Sequence, residues 1–240
     1  MIHYQVKKNY EEISQAAAQE IIAHVKKNPT GLYCFAGGDT PVRTLELLAE
    51  AHLSGDIDFS QASFIELDEW IGIDPENSGS CASYLNRHLF SKINIQKDQL
   101  HLFNPLSTNL KEECQSANRF IQKQGGISLV LLGIGENGHL GFNEPGTSLT
   151  AEAHLVALTA STKEVGKKYF ADEKQFEQGI SLGLGQLLRA EKMLIMASGP
   201  KKATAVQQIL KGKTTSEWPV TAIWQHASAY LLVDEAAVAD

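Results

Sequence analysis

Cysteine is scarce in this sequence. Cys34, Cys81 and Cys114 are the only three among 240 residues, widely spaced, with no CxxC pair and no histidine at ligand spacing. That excludes a disulfide framework and a cysteine-based metal site, and leaves three reduced thiols. Long apolar runs are also missing: nothing approaches the roughly 20 residues of a membrane helix. The opening MIHYQVKKNYEEI lacks the basic-then-apolar design of a secretory signal. A soluble, cytoplasmic protein with no membrane partner is expected. Runs of Lys or Arg are absent, and 28 acidic residues against 21 basic ones give a net charge of −7, so nucleic acid is not an expected partner. An anionic ligand stays possible, because a few lysines and a helix N-terminus bind phosphate whatever the global charge. No internal repeat, low-complexity tract or Pro/Ser-rich linker divides the chain, which reads as one domain over 1–240.

What is present is a 43% share of hydrophobic types, enough for a large core, arranged as alternating strand and helix patterns. Ile13, Ala17, Ile21 and Val25 recur every fourth position, the mark of a helix covering a sheet face. GLYCFA follows as a strand, and TPVRTLELLAEA as a helix with Thr40 at the N-cap and Pro41 at the first helical position. The alternation continues through ASFIEL (strand), SYLNRHLF (helix), QLHLF (strand), KEECQSANRFIQKQ (helix) and ISLVLLG (strand). STKEVGKKYF (helix), QGISLGL and EKMLIMA (strands), PKKATAVQQIL (helix) and SAYLLVD (strand) complete it. ISLVLLG is almost wholly apolar, as suits a central parallel strand covered on both faces. The expected architecture is α/β, a mostly parallel sheet with helices on both faces, in the Rossmann-like style. Ligands of such sheets bind beyond the C-terminal strand ends.

Four such loops hold the chemistry. Gly37-Gly38-Asp39-Thr40 follows the GLYCFA strand and reads either as a tight turn or as a phosphate cradle opening a helix. Glu66, Asp68 and Glu69 place three carboxylates within four residues at a strand end, where mutual repulsion penalises them. A carboxylate there can act as base on a carbon acid once partly desolvated; helix capping or metal binding by Asp68 is the alternative. GIGENGHLGFNEPG packs five glycines with Asn137, His139, Asn143 and Glu144 into fourteen residues after the most apolar strand. Such a loop wraps a polar ligand better than it fills a core. Lysines come last. Lys163 lies in a helical pattern, and Lys202 follows a Ser-Gly-Pro turn, near enough to the ligand edge to neutralise a phosphate.

GGDTP, LDEW, GIGENGHLGFNEPG, SLGLGQLLRAEKMLIMASG and the lysine that follows it together resemble the glucosamine-6-phosphate deaminase/isomerase family, including its galactosamine-6-phosphate members, over nearly the whole chain. The resemblance implies an enzyme that isomerises and deaminates a hexosamine 6-phosphate without metal or organic cofactor. It implies that Asp68 moves a proton between C2 and C1, that His139 assists ring opening, and that Glu144 orients and charges His139. Asn137 stands where some members have Asp. Gly37, Gly38, Asp39, Thr40, Glu69, Gly138, Lys163 and Lys202 would bind the sugar phosphate, with Lys163 where some relatives carry Arg. Residues 147–170 would form a lid. The region after FNEP reads TSLTAEAHLVAL, without the basic residues of the allosteric hexamers, so a monomer or small homo-oligomer is expected. LDEW, GSC at 79–81 and AIWQHAS lean toward the galactosamine members.

Two rival readings exist. A 6-phosphogluconolactonase would share the fold and glycine loop, but LDEW and Phe142-Asn143-Glu144-Pro145 are typical of the deaminase branch. A non-catalytic sugar-phosphate sensor would carry a DNA-binding helix-turn-helix, and none fits before the first helix.

Overall fold

The computed structural model describes residues 2–170 and 176–239. In chain order the elements are β1 (Ile2–Lys7), α1 (Tyr10–Lys27), β2 (Leu32–Phe35), α2 (Val42–Leu53), β3 (Ser63–Glu66), β4 (Asp68–Trp70), α3 (Cys81–His88), β5 (Leu100–His101) and α4 (Leu110–Lys123). Then come β6 (Leu129–Gly133), β7 (His154–Ala157), α5 (Ala160–Gly166), β8 (Gln178–Ser181), α6 (Leu184–Leu188), β9 (Lys192–Ala197), α7 (Ala203–Leu210) and β10 (Ala229–Asp234). Seven strands form one sheet in the order β1-β10-β9-β6-β2-β3-β5, every pairing parallel.

Alternate residues of the central strands enter two different cores. Leu32, Cys34, Val130, Leu132, Met193 and Ile195 face the layer that holds α4, α6 and α7. Tyr33, Phe35, Leu129, Leu131, Leu194 and Met196 face the layer of α1, α2 and α3. Both faces are therefore dry, which is why these strands read as unbroken apolar runs. Helix α1 buries the predicted face, Ile13, Ala17, Ile21 and Val25, and its N-cap Asn9 accepts from Glu12 N at 3.0 Å.

From β2 the chain steps outward through β3 to β5, whereas β6, β9 and β10 run the other way. The direction reverses between β2 and β6, where the loops after both strands leave a crevice. Their approach is close: a Cβ on Gly133 would lie 3.2 Å from Thr40.

Several expectations are corrected. Helix α2 begins at Val42, with Pro41 at the N-cap position and no side-chain cap. Thr40 is not the cap; the Tyr10 hydroxyl, arriving from α1, accepts from Arg43 N at 3.1 Å and donates to the Thr40 carbonyl. QGISLGL does not join the parallel sheet. Its first four residues are β8, the middle strand of a small antiparallel sheet, β4-β8-β7, and the rest turns into α6. Asp68–Trp70, read as a loop, is a strand of that sheet, and β7 lies inside the segment expected to be a lid. The opening residues form β1. Trp70, Phe142, Phe170 and Phe176 make a third apolar cluster against the small sheet. Among the described residues no helix is long and apolar enough to cross a membrane.

Candidate active site

The loops after β2, β3, β6 and β9 line a cavity of about 440 Å³ at the crevice, a size suited to a small polar metabolite. Gly37, Gly38, Asp39 and Thr40 form one wall, Asp68 another, His139 a third, and Lys202 with Ser198 a fourth. The two groups expected to move protons thus face a single space.

Asp68 opens β4, opposite Ser181 of β8, and is buried. Desolvation and the neighbouring Glu69 charge push its carboxyl up to about 8, against a small pull the other way from the Cys81 thiol. A carboxylate so raised is a stronger base than one in water.

His139 is held by its surroundings. Its Nδ1 lies 3.2 Å from the Thr162 hydroxyl and 3.6 Å from Glu144 Oε2, and its main-chain N–H donates to Asn137 Oδ1 at 3.2 Å. The Asn137 amide donates to Glu144 Oε2 at 2.8 Å, and Thr159 gives Glu144 Oε1 its main-chain N–H at 3.1 Å. Burial alone would raise the Glu144 carboxyl, but hydrogen bonds from His139 and Thr162, the imidazole's charge and the Thr159 N–H outweigh it and bring it to about 2. Glu144 and Asn137 stand behind His139 and off the cavity wall. Asn143 is wholly buried, donating to the carbonyls of Leu140 and Leu182 and accepting from Leu184 N, and so fixes the FNEP turn to β8 and α6. Gly135 leaves room for the His139 ring, which a Cβ there would meet at 2.3 Å.

Hydrogen-bond donors gather around Asp39. Lys168, in the turn after α5, pairs with Asp39 Oδ2 at 2.7 Å, and the Tyr84 hydroxyl donates to Oδ1. Lys202 lines the same space, its ammonium lowered by burial.

Three expected ligands are displaced from this cavity. Lys163 points elsewhere, 2.5 Å from Glu177, and Lys168 lines the cavity where Lys163 does not. Glu69 has no exposed surface and accepts three main-chain N–H groups, from Trp70, Cys81 and Ala82. Gly138, with φ of 80°, serves a turn whose carbonyl accepts from Val220 N. Sequence reasoning missed Lys168, Tyr84, Thr159 and Thr162. Only Thr159 left a readable signal, as the N-cap residue of α5, accepting from Thr162 N. Among the described residues no group of three or more His, Cys, Asp or Glu is placed to hold a metal ion.

Residues 7–232 match the family model described as glucosamine-6-phosphate isomerases/6-phosphogluconolactonase. The chain belongs to this family. It is 40% identical over 231 residues, 96% of either chain, to the glucosamine-6-phosphate deaminase of Clostridium perfringens (strain 13 / Type A). Over 230 residues it is 36% identical to the namesake of Thermoanaerobacter pseudethanolicus, covering 95% of this chain and 91% of the relative. Among solved structures it is similar to a monomeric glucosamine-6-phosphate deaminase, with a TM-score of 0.94, 30% identity and 98% coverage of both chains. The 6-phosphogluconolactonase of Thermotoga maritima shares the fold, with a TM-score of 0.78 at 17% identity over 98% of this chain and all of that one.

Proposed function

We propose that this family member is a hexosamine-6-phosphate deaminase of the cytoplasm, acting as a monomer or small oligomer. The observation that carries the reading is the facing of Asp68 and His139 onto one cavity whose wall also bears the glycine loop, Lys168 and Lys202. The glycine loop, Thr40 and the two lysines hold the phosphate. His139, charged and oriented by Glu144, passes a proton to the ring oxygen as the C1 hydroxyl gives one up, and the ring opens to the aldehyde. Asp68 takes the proton from C2 while the C1 oxygen regains one, giving an enolamine, and Asp68 then delivers its proton to C1. The resulting ketose imine adds water and releases ammonia and a ketohexose 6-phosphate, so that atoms and charge balance without an external reductant or oxidant. The segment 147–170 acts as the lid, excluding water while the enolamine exists.

For the C4 configuration, the names of the relatives favour the glucosamine substrate. Of the segments that lean toward galactosamine, Trp70, Gly79 and Cys81 line the cavity and AIWQHAS does not. A paired assay of ammonia release from glucosamine and galactosamine 6-phosphate tests the reading. Hydrolysis of 6-phosphogluconolactone with no ammonia from either sugar would replace it with the lactonase. Calorimetric binding of both sugars without turnover would replace it with a sensor.

A further inference from the structure

Behind Asp68 lies an arrangement that the proposed chemistry does not use. Glu66, at the end of β3, and Glu69, in β4, are both without exposed surface. Two buried carboxyls side by side cannot both be ionised at small cost. Their partners decide which one holds the charge. Glu69 is met at both oxygens by N–H donors: Trp70 N at 2.9 Å and Cys81 N at 3.1 Å on Oε1, and Ala82 N at 3.0 Å on Oε2. Two of these are the first N–H groups of α3, whose third is taken by the Ser80 hydroxyl. A helix of eight residues thus directs its free donors at one carboxylate.

Glu66 has a single donor, Phe103 N at 2.9 Å on Oε2, while its Oε1 is buried with no donor to meet. An unpaired carboxylate oxygen at that depth is costly, and a proton on it removes the cost by turning the atom into a donor. Burial drives Glu66 far up, with the Glu69 charge adding to it, whereas the three N–H groups oppose the rise at Glu69. The proton therefore rests on Glu66 and the negative charge on Glu69.

We infer that Glu69 is a positioning residue for the proton carrier: its buried charge, locked by the N-terminus of α3, acts on the adjacent Asp68 and governs when that carboxyl takes up and gives up a proton. The inference rests on the deaminase reading and deepens it. Glu66 comes from β3, Glu69 from β4, Cys34 from β2, Cys81 from α3 and His139 from the loop after β6. Strand β8 contributes Ser181 opposite Asp68 and Ile180 opposite Glu69, neither of which titrates. Cys34 and Cys81 are buried thiols driven up by desolvation, and so stay neutral. Glu69, met by three main-chain N–H groups, is the carboxyl best placed among these neighbours to carry the negative charge beside Asp68.

The test compares the pH dependence of kcat/KM in the native enzyme, Glu69→Gln and Glu66→Gln, using ammonia release. In Glu69→Gln the acidic limb moves to lower pH by about one unit, because a like charge beside the base is gone. In Glu66→Gln the limb stays at the native pH, since an uncharged amide mimics a neutral carboxyl in shape and offers an N–H donor where that carboxyl offers its O–H. A shift of similar size in Glu66→Gln would place the charge on Glu66 and overturn the inference. So would a Glu69→Gln enzyme with reduced kcat or thermal stability but an unmoved limb, the result of a purely structural role. Should Glu69→Gln not fold, the infrared band of a buried protonated carboxyl decides. It is expected in the native protein at pH 9 and absent from Glu66→Gln; its absence from the native protein overturns the inference. Failure of the native enzyme to release ammonia would instead refute the deaminase reading, so the two failures are separable.

Discussion

The His139 imidazole sits 3.6 Å from the Glu144 carboxylate, and the same carboxylate receives the main-chain N–H of Thr159 from the start of α5. The carboxylate behind His139 is therefore held from two segments about fifteen residues apart in the chain. Replacing Glu144 by Gln keeps the shape and removes the charge. Turnover should fall by on the order of 10²-fold, measured as ammonia release at saturating substrate. Its linkage to stability has a definite sign. A carboxyl lowered from 4.5 to about 2 contributes stability that is full above pH 4.5 and is lost as pH falls toward 2. Acid titration of the unfolding free energy should be flatter in Glu144→Gln than in the native protein across that window.

Under the proposed mechanism Asp68 acts in its ionised form, and burial with the neighbouring Glu69 charge pushes its carboxyl up to about 8. The kcat/KM of the native enzyme should therefore rise with pH up to about 8 and then level, until another group intervenes. Asp68→Asn should lose activity by on the order of 10³-fold while its thermal midpoint is kept, and the product formed in heavy water should no longer carry deuterium at C1. Near-native turnover in this variant would remove Asp68 from the chemistry.

The three lysines should separate cleanly. Lys202→Ala and Lys168→Ala each remove a charge from the cavity wall, and KM should rise by roughly tenfold to a hundredfold, the equivalent of about 1.5–3 kcal/mol for a charge-assisted hydrogen bond. Lys163→Ala breaks only a partly exposed pair with Glu177 and should leave both kinetic constants unchanged, as an exposed ion pair contributes about 0–1 kcal/mol.

A methyl group at Gly135 should act at a distance from the substrate. The added Cβ would lie 2.3 Å from the His139 ring, so the imidazole has to move. Gly135→Ala should lower kcat by on the order of 10²-fold, the cost of misplacing a catalytic group by about 1 Å, with circular dichroism unchanged. An unaffected kcat would show that the ring is free to shift.

Much of this architecture was legible in the residues. ISLVLLG and EKMLIMA are apolar on both faces because two layers cover them, and their alternate residues do enter separate cores. The loops richest in glycine and titratable groups do line the cavity. What escaped was short or one-sided. Strands of three and four residues, such as β4 and β7, are too brief to show a period of two. In β1 only Ile2, Gln5 and Lys7 are half-covered, as befits an edge strand, so no buried face stood out. The exchange of Lys163 for Lys168 had no signal, because five positions along a helix that turns into a tighter 3₁₀ turn change the direction of a side chain unpredictably. Glu69 turns away from the cavity for a related reason: successive residues of a strand point to opposite sides, and nothing in LDEW says that residue 68 begins one.

Thr159 lies two residues beyond β7 and caps the start of α5 while gripping Glu144. If that arm swings out to admit a sugar, the imidazole loses its counter-ion's anchorage in the same stroke. A vacant, gaping protein would then be chemically idle, and wasteful proton exchange with bulk solvent would be held off until cargo is aboard.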